Sequence, residues 1–467
     1  MTGRISAFTD DVLGDLDAVG IADLVRSGAA SAREVADAAL ARIARVNGDL
    51  QAVAGDLLPE PRVGRDQAAP LYGVPFVIKD NTALAGLPTG NGSETYRGRP
   101  AGADGIVTQQ ALSTGLTVVG KSRLPEFGFN ASTEFRTEPP CVNPWNTDYS
   151  VGASSGGSAA LVASGALPIA HANDGGGSIR IPAAAAGLVG LKPSRGRHRD
   201  GDDAKHMPIN IISEGVLTRS VRDTATYFAA SEDFWRSPKL PPVGLVRGPA
   251  QRRLRVGLLL DTVDELAVVD AETRAAVEDV ARTLEAAGHI VEPISSPVST
   301  EFVDDFLQYW ALLATLATAT GKLVLDRSFD ISKADGLTTG LRAMHRRQLR
   351  RTPGAVRRLR RAAQAVAAMY DRHELVLSPV VAHTTPQLGH LSPNQPFEQL
   401  VRNLRGYVAY TPLQNVAGTP AISLPLGVTA AGLPIGVQLS GAYGDERTLL
   451  ETAFELEPAD GFRTLAR

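Results

Sequence analysis

Two serines 24 residues apart stand in glycine-rich stretches, Val151-Gly-Ala-Ser154-Ser155-Gly-Gly-Ser158 and Asn173-Asp174-Gly175-Gly176-Gly177-Ser178-Ile179-Arg180. Glycine is used where backbone takes positive φ or approaches another group closely. A serine ending a run of three glycines can present both its hydroxyl and a fan of backbone N–H groups. Acyl transfer needs that combination: a nucleophile, and donors aimed at the oxyanion formed when it attacks a carbonyl. A third group of interest is Lys79, which ends the apolar run Gly73-Val-Pro-Phe-Val-Ile-Lys79-Asp80-Asn81. Strand-end lysines are ordinarily solvated. One carried inward by apolar neighbours must be neutral or paired, and a neutral lysine can take a proton relayed through a serine.

Other arrangements have less support. A Ser-His-Asp triad stays open, because its members need not be close in sequence. Of the eight histidines, however, only His171 lies near either serine, in a strand where a satisfied core histidine is the commoner outcome. There is no His-Glu-x-x-His pattern, and the Gly73 to Lys79 stretch lacks the Gly-Lys-Ser/Thr ending of a phosphate-binding loop. Anion binding by the glycine loops remains an alternative.

The elements that must position these residues read as alternating helix and strand. Residues 10–50 read as helical, with a capping box at Ser31-Ala-Arg-Glu34 and an apolar stripe through Val35, Ala38, Ala39, Ile43 and Val46. A strand leads to Lys79, then a helix over 108–114 and a strand over 116–119. The segment from Glu126 to Asn130 reads as a lid or pocket wall. A small-residue helix over 158–166, a strand at Ile169 and Ala170, and a helix and strand through Leu191 bracket the glycine run. A strand and a capped helix over 213–230 follow, and then a β–α–β pattern over 254–293. Four prolines over 232–252 mark a surface crossing. Residues 299–372 read as almost wholly helical, and strands at 375–379, 421–426 and 435–439 precede a last helix over 446–455. Nine arginines between Arg342 and Arg361 favour a solvated face or a subunit contact, such as a homodimer would use, over a membrane or nucleic-acid surface.

Length alone favours two or three domains. With 43% hydrophobic and 21% charged residues and a formal charge of −3, the composition is that of a globular protein without a positive field for nucleic acid or anionic membrane. Small neutral partners are favoured. Cys141 is the only cysteine, which excludes an intrachain disulfide and a cysteine-based zinc site within the chain. No apolar run reaches membrane-spanning length, and the first residues lack the features of a signal peptide, so a cytoplasmic location is expected.

Taken together, Gly73-Val-Pro-Phe-Val-Ile-Lys79-Asp, Gly152-Ala-Ser154-Ser155-Gly-Gly-Ser158 and Asp174-Gly-Gly-Gly-Ser178-Ile-Arg180-Ile-Pro-Ala resemble the amidase signature family of hydrolases. The three motifs come in the right order with the right serine spacing. At lower density the resemblance continues through Gly190-Leu-Lys-Pro193, Thr411-Pro-Leu-Gln-Asn415, Gly418 to Pro425 and Gly432 to Leu439. It implies a single α/β domain with a mixed, twisted central sheet covered by helices. The expectation becomes one amidase domain over 1–467, with a signature core over about 70–225 and a helical substrate-side region over about 299–372, in place of the length-based prior.

By the same resemblance, Lys79 is the base, Ser154 a bridging serine and Ser178 the nucleophile of a Lys–Ser–Ser triad working through an acyl-enzyme. The N–H groups of Gly175, Gly176, Gly177 and Ser178 form the oxyanion hole, Ser155 supports the network, and Asp174 with Arg180 forms an ion pair holding the loop. In the family the bridging serine follows a cis peptide bond, which the sequence does not reveal. No cofactor or metal is expected, and the partner is a small-molecule amide. Many relatives read Thr-Asp before the glycines where this chain has Asn173-Asp174, a variant resembling the branch with 6-aminohexanoate cyclic dimer hydrolases and actinobacterial amidases. That favours linear or cyclic aliphatic amides, including nylon oligomers. Aryl acylamidase, carbamate or ester hydrolysis with the same triad, and a subunit role in an amidotransferase complex, stay as alternatives. Substrate choice is expected to lie in 126–140, 198–215 and 299–372.

Overall fold

In the computed structural model, which describes residues 3–201, 204 and 207–466, the amino-terminal helical stretch divides in two. Helix α1 (Ala18–Arg26) stops at Gly28, whose φ of +75° leaves the helical region, and Ser31 starts α2 (Ala32–Leu50) through the capping box with Glu34. The buried stripe Val35, Ala39, Ile43 and Val46 faces the core.

The chain then lays β1 (Pro75–Lys79) parallel to β2 (Thr117–Ser122), joined through α3 (Ile106–Ser113). Every residue of β1 is buried, so its apolar run carries Lys79 fully inside. A short hairpin, β3 (Val142–Asn143) and β4 (Asn146–Ser150), leads to α4 (Gly156–Ala163). The signature region continues with β5 (Ile169–Asp174), α5 (Arg180–Ala186), β6 (Val189–Lys192), β7 (Ser213–Thr218) and α6 (Val221–Phe234).

After the proline-rich crossing come β8 (Arg255–Leu258), α7 (Ala271–Ala286) and β9 (Ile290–Pro293), with β8 and β9 parallel as the β–α–β pattern requires. The helical region holds α8 (Glu301–Ala319), α9 (Gly321–Val324), α10 (Gly336–Arg347) and α11 (Thr352–Met369). The remainder is β10 (Leu375–Pro379), α12 (Phe397–Tyr407), α13 (Pro412–Ala417), β11 (Ala421–Val428), β12 (Pro434–Gly441) and α14 (Glu446–Leu456).

Eight strands form the central sheet in the order β5-β7-β6-β11-β12-β10-β8-β9, with antiparallel pairs through β10 and parallel pairs beyond it. It is a mixed sheet in a single domain, and one large apolar core extends from α1 to α14. The two or three domains suggested by length do not hold, because the strand order interleaves early and late segments of the chain.

Helix α5 lies unusually close to this sheet. A Cβ at Gly190 would sit 2.7 Å from Ala183 Cβ, and one at Gly436 would sit 2.3 Å from Ala184 Cβ, so glycine is required at both places. That close seat fixes the start of α5, where Ser178 and Arg180 stand. Among the described residues no helix is long and apolar enough to cross a membrane. The arginine-rich helices bury Leu341, Met344, Ala355 and Leu359 and leave Arg346, Arg347, Arg350, Arg351, Arg357, Arg360 and Arg361 exposed. Arg358 is tied to Asp305, 2.5 Å away, and to Glu301 at 3.3 Å.

Candidate active site

Lys79 enters from the end of β1, and the turn before α4 presents Ser154 and Ser155 to it. Its Nζ lies 2.6 Å from Ser154 Oγ, 3.0 Å from Ser155 Oγ and 2.7 Å from Asn173 Oδ1. Among the described residues no carboxylate is paired with it. The contrast with Lys121 is direct: burial also pushes the Lys121 amine down, but Asp80 at 2.6 Å opposes that push with a paired charge. Burial holds the Lys79 amine down at about 7, against a weaker upward pull from Glu214 and then Asp174. At neutral pH a large fraction of Lys79 is therefore the free base.

Ser178 lies on the turn between β5 and α5. Its Oγ accepts the backbone N–H of Ser154 at 3.3 Å, which places the two serines side by side. Gly128, reached through the positive φ of Phe127 (+49°) and its own (+71°), packs against Ser154, where a Cβ would lie in van der Waals contact 3.4 Å from Ser154 Oγ. All peptide bonds of the described residues are trans, including that preceding Ser154. The cis bond implied by the family resemblance is thus absent here, and the Lys79 to Ser154 contact forms without it.

The loop carrying Ser178 is held by a buried ion pair. Arg180 meets Asp174 through Nε and Nη2, each at 2.9 Å, with both side chains fully buried. Arg180 also donates to Gln414, Gln438, the Thr411 carbonyl and Asn415 at 2.7–3.0 Å. Asp174 in turn accepts the N–H groups of Gly177 and Ile179 and the Asn415 amide. Burial alone would raise its carboxyl; the charge and hydrogen bonds of Arg180, with Lys192 and Asn415, outweigh this and hold it well below the usual carboxylate range.

This arrangement narrows the set of free backbone donors in the glycine run. The Gly177 N–H is already committed to Asp174 Oδ1 at 2.8 Å, so the expectation that it faces substrate is not met. The physical reason is that Asp174 folds back over its own loop, with Gly177 at φ +134°. A Cβ at Gly177 would meet Thr411 Oγ1 at 2.5 Å. The N–H groups of Gly175, Gly176 and Ser178 have no acceptor among the described residues.

His171 behaves as the satisfied core histidine: Nδ1 accepts the Lys79 N–H at 3.2 Å, so Nε2 carries the proton and donates to Glu214 at 3.0 Å. Ser158 is likewise structural, donating to the His171 carbonyl at 2.6 Å.

Ser178 and Gly176 open onto a cavity whose wall is aromatic and aliphatic, built from Phe129, Phe306, Trp310, Leu337, Leu341 and Val408. Trp310 stacks on Phe306, meets Phe129 edge-on, and donates its Nε1–H to the Phe129 carbonyl at 3.1 Å. Among the described residues the one charged side chain on the wall, Arg405, is paired with Asp264 at 2.8 Å and Asp304 at 3.2 Å. Residues of the 126–140 and 299–372 segments therefore line this cavity, and α12 joins them. The 198–215 segment does not; its Gly201, Ala204, Ile212 and Glu214 border a second cavity. Residues 202, 203, 205 and 206 of that segment lie outside the described residues.

Sequence reasoning missed the contact of Asn173 with Lys79 and the set of amides and hydroxyls around Arg180. A signal for the latter was present: Gln438 interrupts the apolar strand Pro434 to Gly441, where a buried polar group needs a partner.

The amidase family profile matches residues 32–450. The chain is 47% identical to the putative amidase AmiC of Mycobacterium leprae, over 98% of this chain and 97% of that protein. It is 32% identical to the 6-aminohexanoate-cyclic-dimer hydrolase of Paenarthrobacter ureafaciens, over 95% of this chain and 94% of that one. A solved structure of 6-aminohexanoate cyclic dimer hydrolase with substrate superimposes with a TM-score of 0.84 at 30% identity, covering 95% and 97% of the two chains. With the family profile spanning most of the sequence and both relatives aligned nearly end to end, the chain belongs to the amidase signature family.

Proposed function

We propose that this protein hydrolyses carboxylic amides through an acyl-enzyme on Ser178, with Lys79 as base and Ser154 as proton relay. The observation that carries the reading is the contact of a buried lysine, held near neutrality and without a carboxylate partner, with Ser154 Oγ at 2.6 Å, beside Ser178. In the free site Ser178 Oγ rests on the Ser154 N–H. The relay requires it to exchange that contact for Ser154 Oγ when substrate binds, and catalytic hydrogen bonds commonly tighten only in the complex.

The steps balance as follows. Ser178 Oγ attacks the amide carbon as its proton passes to Ser154 and that of Ser154 to Lys79. The N–H groups of Gly175, Gly176 and Ser178 face the oxyanion, each such donor contributing about 3 kcal/mol at the transition state. Collapse of the intermediate returns the proton to the leaving amine. Water then hydrolyses the Ser178 ester and restores the free serine.

The apolar wall, whose charged residue Arg405 is already paired, suits an uncharged aliphatic or aryl acyl group. The aligned 6-aminohexanoate-cyclic-dimer hydrolase favours aliphatic, including cyclic, amides. The stacked Phe306 and Trp310 favour a second reading, a planar anilide.

The test is covalent labelling by a fluorophosphonate, read by peptide mass spectrometry, followed by hydrolysis of a panel of aliphatic, cyclic, anilide and ester substrates. Labelling at Ser178, abolished together with turnover in Ser178→Ala, is the expected outcome. Substantial amide hydrolysis by Ser178→Ala overturns the assignment.

A further inference from the structure

Neutral lysine has two N–H donors and one lone pair, and the surroundings of Lys79 distribute them without ambiguity. Three oxygens surround Nζ: Ser154 Oγ, Ser155 Oγ and Asn173 Oδ1. Asn173 Oδ1 can only accept. The amide is oriented by its other end, where Nδ2 donates to Asn81 Oδ1 at 3.2 Å. Ser155 has spent its own proton on the Asn173 carbonyl at 3.3 Å, so toward Lys79 it too can only accept. Both N–H donors of the free amine are thereby assigned, one to Asn173 and one to Ser155. The lone pair is left facing the hydroxyl of Ser154, at 2.6 Å.

From this count we infer that Asn173, held by Asn81, is a positioning residue that aims the lone pair of Lys79 at Ser154. The inference rests on the proposed role of Lys79 as base. The same three oxygens serve the other half of the cycle: once Lys79 has taken the proton, its three N–H bonds meet three acceptors and none is left unpaired. The charged groups around the amine are Glu214 on β7 and Asp174 on β5, with His171 of β5 against the Lys79 backbone. Asn173 and Asn81 border the second cavity, which shares no wall residue with the apolar one, so substitutions at 173 leave the acyl pocket untouched.

The test follows the rate of fluorophosphonate labelling of Ser178 against pH, in which phosphorus is bonded by Ser178 Oγ, fluoride leaves and the proton passes to Lys79. The intact enzyme should show a rise with pH to a plateau. Asn173→Asp places a carboxylate beside the amine and should move the midpoint up by at least about one pH unit. Asn173→Leu removes an acceptor that favours the ammonium, so the midpoint should move down, and the undirected lone pair should lower the plateau at least about tenfold. Asn173→Thr, which keeps an oxygen, should hold the plateau within about threefold of the parent and serves as the folding control. A purely structural role would lower rates without moving the midpoint in opposite directions. Midpoints for the Asp and Leu variants both within about 0.3 unit of the parent would overturn the inference. If Ser178 of the unaltered protein is not labelled at all, it is the nucleophile assignment that falls.

Discussion

Replacing Asp174 by asparagine tests the buried network that holds the loop carrying Ser178. The carboxylate faces donors on both oxygens: Gly177 N–H, Arg180 Nη2 and Asn415 Nδ2 on Oδ1, and Ile179 N–H and Arg180 Nε on Oδ2. An asparagine can place its oxygen toward only one group of these, and its NH2 then faces donors on the other side. Arg180, fully buried, is left without a counter-charge, which costs about 3–5 kcal/mol. Each orphaned buried donor adds about 1–3 kcal/mol, reduced where the loop relaxes. A loss of at least about 4 kcal/mol is therefore expected, a large share of the whole stability of a typical domain.

Equilibrium unfolding in urea, followed by the fluorescence of Trp145, Trp235 and Trp310, measures it. Adding Arg180→Met removes the unpaired charge, so the double variant should lose less than the sum of the two single losses by at least about 2 kcal/mol. The pH sign is also fixed. A carboxyl depressed in the folded state contributes stability above its unfolded value of 3.8 and loses it as pH falls through the folded one, so the loss should be constant from about pH 5 to 9. A loss below about 1 kcal/mol, or additivity within about 0.5 kcal/mol, would refute the account.

Three further outcomes follow from the geometry. Hydrolysis by the unaltered enzyme should rise with pH through about 7, because below that value Lys79 is an ammonium and cannot take the proton of Ser154; a flat profile from pH 5 to 9 would contradict a neutral-lysine base. In the same region, since the amine titrates near 10.5 when unfolded, the folded state gains stability from Lys79 as pH rises from about 7 toward 10.5. Trp310→Ala should raise KM for apolar amides about tenfold or more by emptying one wall of the cavity, with a smaller effect on kcat, and unchanged KM across a panel of acyl groups would remove Trp310 from the binding site.

What the sequence determined is local. The apolar run ending at Lys79, the capping box at Ser31, the two glycine-rich serines and the β–α–β pattern near residue 260 each follow from neighbours in the chain, and each took its expected form because local periodicity and cap chemistry are short-range. The family motifs pointed to the three residues placed together here, Lys79, Ser154 and Ser178. Tertiary structure decided which donors and acceptors remain free, because that depends on what arrives from distant segments. Asn415 and Gln438, more than 200 residues from Arg180 in the chain, complete its shell. Asp174 turns back to take the Gly177 N–H, removing it from the free donors of the glycine run, and Asn173 turns out to be a partner of Lys79. Hydrogen-bond capacity is a property of each residue type and is legible in sequence; how that capacity is spent is settled only when the chain closes on itself.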